Sequence, residues 1–246
     1  MNTRDNQSQQ GARSHLVAVT AGQVTLEGML EIPAGARGIV LFAHGSGSSR
    51  HSPRNRYVAR ALQEGGLATL LLDLLTAEEE EVDQVTAHLR FDIALLAQRL
   101  AGATDWLLQE PETRHLRIGY FGASTGAAAA LVAAAQRPDA IAAIVSRGGR
   151  PDLAGPSLSR VRAPTLLIVG GYDEPVIEMN ADALRQLAVE KRIVIVPGAT
   201  HLFEEPGTLE QVARLARDWF TRYLTPPAPG QLHTHGEADQ PEGRAR

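Results

Sequence analysis

The chain has 246 residues, 43% of them hydrophobic and 21% charged, with a formal net charge of −4, the profile of one large domain, or at most two small ones, with a sizeable core. It holds no cysteine, which excludes disulfides, thiolate metal sites and a cysteine nucleophile. Lys191 is the only lysine, so there is no Gly-Lys-Ser/Thr phosphate loop, and the mild negative charge argues against nucleic-acid or anionic-membrane partners.

Residues 1–14 are polar, without the apolar centre of a secretion signal, and no apolar run reaches the ~18 residues of a spanning helix. The expectation is a cytoplasmic protein with one domain over residues 15–224 between flexible tails at 1–14 and 225–246. His233 and His235 in the second tail lack further metal ligands and read as solvated.

Within the domain, residues 16–20 and 24–32 flank Ala21-Gly22-Gln23 and predict a hairpin. A buried strand follows at 38–43, apolar on both faces, then a helix at 54–64 and a strand at 68–72. The acidic run Glu78 to Glu81 reads as a solvated helix start, or as cover over a neighbouring site. Residues 91–108 have the spacing of a long amphipathic helix.

Strands at 118–121, 140–145, 165–169 and 193–196 alternate with helices at 125–136 and 181–190. The last helix carries Thr208 and Gln211 as a capping box, and an apolar stripe of Val212, Leu215, Ala216, Trp219, Phe220 and Tyr223. This alternation specifies an α/β fold: a mostly parallel, doubly wound sheet in three layers, whose reactive groups belong at the carboxyl ends of the strands.

Four strand ends carry suggestive residues. Gly122-Ala123-Ser124-Thr125-Gly126 follows one strand and opens an alanine-rich helix, the setting of a nucleophile elbow; a glycine-rich turn with a capping serine is the plainer reading. A serine hydroxyl needs a base, and His201 lies in the loop after the last strand. Asp173, at the end of the strand between them, suits the acid that fixes the imidazole, with Glu174 as the alternative. The order Ser, Asp, His is that of a hydrolase triad on this kind of sheet.

An oxyanion needs two backbone N–H groups, here from Thr125 and from the His44-Gly45-Ser46-Gly47 loop, with Ser46 preferred and Gly45 or Gly47 as alternatives. His44 reads as a loop anchor. Arg50 and Arg147 also follow strands; they are candidates for holding a substrate carboxylate or phosphate, or else surface cations.

With these motifs the chain resembles the α/β-hydrolase superfamily, and its dienelactone-hydrolase-like group in particular, over about residues 15–224. The resemblance implies about eight strands, one of them antiparallel near the start, and metal-free hydrolysis of carboxylic esters or lactones. A small-molecule ester is the expected substrate, no cofactor is required, and the segments between the strands leave room for minimal or no lid. Dienelactone hydrolases use a cysteine nucleophile where this chain has Ser124, which favours general esterase chemistry. An acyltransferase using the same triad and a non-catalytic protein retaining the fold are the competing expectations.

Overall fold

The computed structural model describes residues 13–225; the stretch with His233 and His235 lies outside them. β1 (Arg13–Ala21) and β2 (Val24–Ile32) form the expected hairpin, and the ladder extends to Arg13↔Ile32. Arg13 and Ser14, assigned to a tail from sequence, therefore open a strand: main-chain pairing along β2 needs no apolar side chain to continue.

The other strands are β3 (Gly38–Ala43), β4 (Ala68–Leu72), β5 (Arg117–Ala123), β6 (Ile141–Arg147), β7 (Thr165–Gly170) and β8 (Lys191–Val196). They form one eight-stranded sheet in the order β1-β2-β4-β3-β5-β6-β7-β8. β2 is antiparallel to both β1 and β4, and every other pairing is parallel, so β2 alone runs against the rest. β3, β4 and β7 are buried along their whole length, as strands covered on both faces must be.

Two cores sandwich the sheet. On one face α1 (Pro53–Glu64) and α6 (Thr208–Leu224) press Val58, Leu62, Val212 and Phe220 onto Val40, Phe42, Phe121 and Val145. On the other, α3 (Ile93–Gln109), α4 (Thr125–Gln136) and α5 (Glu174–Gln186) cover Ile39, Leu41, Ile118 and Ile144. α4 is almost entirely buried through Ala127 to Leu131, which its run of alanines makes possible.

The acidic run forms α2 (Ala77–Thr86), started by a complete capping box between Thr76 and Glu79. It is tied down by Glu79–Arg99 and by the buried Asp83, whose carboxylate pairs with Arg90 at 2.5 Å and accepts the Leu89 N–H. Among the described residues no helix is long and apolar enough to cross a membrane.

Three of the helices also differ from the sequence reading. The long helix begins two residues late, because Asp92 caps Leu95 N–H after a short 3-10 turn over Leu89–Phe91. α5 starts at Glu174, where Pro175 suits a first turn, and not at 181. α6 lacks the predicted capping box: Gly207, at φ 82, takes the cap position and the Thr208 hydroxyl donates backward to Glu205 O. Its stripe is as read, with Val212, Ala216, Trp219 and Phe220 buried.

Because α4 has no space beneath it, Ala129→Leu should lower the unfolding free energy by about 1–3 kcal/mol, measured as a shift of the urea midpoint at constant m-value.

Candidate active site

Ser124 follows β5 and caps α4 with φ 50 and ψ −122, a conformation that L-residues avoid. Such strain costs about 1–3 kcal/mol and persists only where neighbours fix it. Here they do. A β-carbon on Gly122 would stand 2.4 Å from Ala127 Cα, and one on Gly126 2.3 Å from Ala43 O, so strand, turn and helix pass at distances only glycine permits. Ser124 N–H donates to Arg147 O at 3.3 Å, and Ser124 O accepts from Ala127 N–H and Arg150 N–H. Among the described residues the half-buried Ser124 hydroxyl takes no hydrogen bond.

His201 follows β8, and its Nδ1 lies 2.6 Å from Asp173 Oδ2. Asp173 occupies the cap position of α5 yet makes no side-chain cap bond; its carboxylate faces the imidazole instead. The Asp173 side chain is 14% exposed and that of His201 38%, while the alternative acid Glu174 is exposed. A carboxylate at Nδ1 leaves Nε2 as the proton-accepting nitrogen. Gly148 joins the two halves: it directly follows Arg147, and a β-carbon there would sit 3.5 Å from the His201 ring and 3.1 Å from its carbonyl oxygen.

The β3 loop reaches the same place. A β-carbon on Gly45 would stand 3.1 Å from Ser124 Cβ. Thr125 N–H is the first of α4, where no carbonyl of the helix can reach it. Ser46 N–H donates to Thr125 Oγ1 at 3.0 Å, so the candidate donor is engaged by a neutral hydroxyl. His44 is an anchor: Nδ1 donates to Gly45 O at 2.9 Å and Nε2 accepts Leu74 N–H at 3.1 Å, which fixes one neutral tautomer and leaves no nitrogen for catalysis.

The two arginines do not present free charge to a cleft. Arg50 is clasped by Asp73 and by Glu27 (2.6 Å), which spends its charge. Arg147 is 6% exposed, with its guanidinium carbon 5.9 Å from the centre of the Phe203 ring and Nη2 3.4 Å from Asn55 Oδ1. A cavity of about 780 Å³ opens beside the β3 loop, lined by Gly47, Ser48, Arg50, Asp73, Glu78 and Glu80; α2 thus stands at the rim. A narrow space lined by Gly45, Ser46, Glu80 and Thr125 adjoins it. Among the described residues no cluster of three or more His, Cys, Asp or Glu could hold a metal ion.

The model of the dienelactone hydrolase family matches residues 26–224. The chain belongs to this family. Its fold superposes on the solved dienelactone hydrolase of Anabaena variabilis ATCC 29413 with a TM-score of 0.86 and 67% identity, over 87% of this chain and 100% of that one. Est1E from Butyrivibrio proteoclasticus shares the fold at 18% identity and TM-score 0.66, over 87% and 98% of the two chains. A Mycobacterium tuberculosis (strain ATCC 25618 / H37Rv) protein named putative phosphoribosyl transferase is 59% identical over 217 residues, 88% of this chain and 48% of that protein. The chain therefore spans about half the length of that curated relative.

Three neighbours of the site were not singled out from this family member's sequence: Asn55, Phe203 and Asn180. Phe203 has φ 56, which no residue-type signal foretells for a phenylalanine. Asn180 is fully buried and donates to Gly149 O at 3.0 Å, steadying the turn after β6. Both asparagines lie on helices whose apolar spacing gives them no distinction.

Burial holds His44 below its ordinary pKa of 6.5, against weaker opposing pulls from the Gly45 carbonyl, Asp73 and Glu80. A base with a lowered folded pKa stabilises the fold fully above the unfolded value and loses that contribution as pH falls toward the folded one. Chemical-denaturation midpoints should therefore drop as pH falls below about 6.5, and the slope should flatten in His44→Gln.

Proposed function

We propose that this chain is a serine hydrolase that cleaves carboxylic esters or lactones. The observations that carry the reading are the short bond between His201 Nδ1 and Asp173 and, at another strand end of the same sheet, a serine locked in a strained turn with its hydroxyl uncommitted. Membership of a hydrolase family supports the same reaction class.

In the proposed mechanism His201 Nε2 takes the Ser124 hydroxyl proton as the oxygen attacks the acyl carbonyl. Asp173 holds the ring in the productive tautomer and offsets the charge that it gains. The tetrahedral oxyanion receives Thr125 N–H and Ser46 N–H; an anion competes for the Ser46 donor better than the neutral Thr125 hydroxyl that occupies it at rest. Collapse expels the alcohol with the proton from His201, and water, activated by the same imidazole, releases the acid.

The longer mycobacterial relative carries a transferase name, but only 48% of it corresponds to this chain, and we assign acyl-group hydrolysis to the shared part. Transfer of the acyl group to an alcohol or amine uses the same residues, and product analysis with competing acceptors separates it from hydrolysis.

Ser124→Ala should abolish labelling by a fluorophosphonate and reduce p-nitrophenyl acetate turnover by roughly 10⁴-fold or more, with its melting curve unchanged. Asp173→Asn should retain labelling at a slower rate and lose about 10³–10⁴ in kcat. Full turnover in Ser124→Ala would end the reading.

A further inference from the structure

Arg147 is a buried cation without a counter-ion. Its side chain is almost wholly enclosed, no carboxylate pairs with it among the described residues, and its Nε is buried with no hydrogen-bond partner. Asn55 supplies one long bond, 3.4 Å from Nη2. Arg54 lies close enough for its like charge to act on Arg147, while Arg54 itself pairs with Glu204. Desolvation, joined by that repulsion, pushes the guanidinium pKa down to about 10, and the group still carries its proton at neutral pH. A buried ion of this kind is a cost to the fold, so a gain elsewhere must offset it.

Its surroundings locate the gain. The Arg147 backbone oxygen accepts Ser124 N–H, in register with Ala123 across the β5–β6 ladder. The Arg147 guanidinium lies over the Phe203 ring, two residues past His201, and Phe203 holds the strained φ of 56. The next residue, Gly148, packs against the His201 ring. One residue thus touches the turn of the candidate nucleophile through its main chain and the loop of the candidate base through its side chain.

We propose that Arg147 is a positioning residue for the reaction: its guanidinium clamps the ring of Phe203 against the end of β6 and so fixes the distance between His201 and Ser124. The proposal rests on the Ser124–His201–Asp173 reading. A planar cation over an aromatic face, braced by Asn55, constrains the loop in a direction that an apolar side chain does not. It also accounts for a charge that folding alone would discard.

The test compares Arg147→Met, Arg147→Lys and Phe203→Leu with wild type for p-nitrophenyl acetate kinetics, fluorophosphonate labelling rate and melting temperature. Arg147→Met removes the buried charge while keeping length, so its melting temperature should stay level or rise, as kcat and the labelling rate fall about 10–100-fold with KM within about twofold. Arg147→Lys should recover part of that loss. Phe203→Leu, which leaves the charge in place, should lower kcat in the same way, and it keeps the proposal falsifiable if Arg147→Met does not fold. Arg147→Met with kcat within about twofold of wild type overturns the proposal. So does a loss of kcat that merely tracks a lowered melting temperature, the signature of a scaffold role. Ser124→Ala, run alongside, separates the two readings: its full turnover removes the triad itself, whereas its inactivity beside an unimpaired Arg147→Met removes only the clamp.

Discussion

The strained backbone at Ser124 is the constraint from which the site follows. A residue with φ 50 and ψ −122 stays there only because β5, α4, the β3 loop and the turn after β6 leave it nowhere else to go. Gly122 and Gly126 let the α4 backbone and the end of β3 approach to distances no side chain allows. The two hydrogen bonds between Ser124 and the 147–150 segment close the other side. The sheet order puts this turn at the centre, between β3 and β6, so loops from both neighbouring strands bear on it. The energy of a large core is spent locally on one unfavourable turn that holds a hydroxyl clear of its own helix.

Much of this is written in local sequence. Period-two and continuous apolar runs mark the strands, and the Gly-X-Ser-X-Gly pattern between a strand and an alanine-rich helix marks the strained turn. Asp173 and His201 are legible because the topology obliges strand-end residues to share one edge of the sheet, and the structure brings their side chains to 2.6 Å. What escapes is whatever depends on partners distant in sequence. Arg50 has the same local features as a substrate-binding arginine, and only the fold shows that Glu27 and Asp73 enclose it. Ser46 N–H is a candidate oxyanion donor from its loop, but its bond to the Thr125 hydroxyl depends on a contact between two strand ends. The missing capping box at Thr208 has the same origin, since the preceding turn places Gly207 at the cap and draws the hydroxyl back to Glu205.

Two titratable side chains are buried around Ser124, His44 and Arg147, and the fold resolves their burial in opposite ways. His44 can surrender its proton, and it does: one nitrogen donates, the other accepts, and the neutral ring locks the β3 loop to the chain after β4. The Arg147 guanidinium has no neutral form within reach at physiological pH, so the same desolvation leaves it as a standing charge with an unsatisfied Nε. A histidine that only anchors can be made inexpensive by deprotonation, and an arginine cannot. A merely space-filling role for residue 147 would be served better by leucine or methionine, which would remove the desolvation and the repulsion from Arg54 together. The buried cation therefore argues for something that only a flat, charged group supplies, and among the described residues the aromatic face it meets belongs to the loop that carries His201.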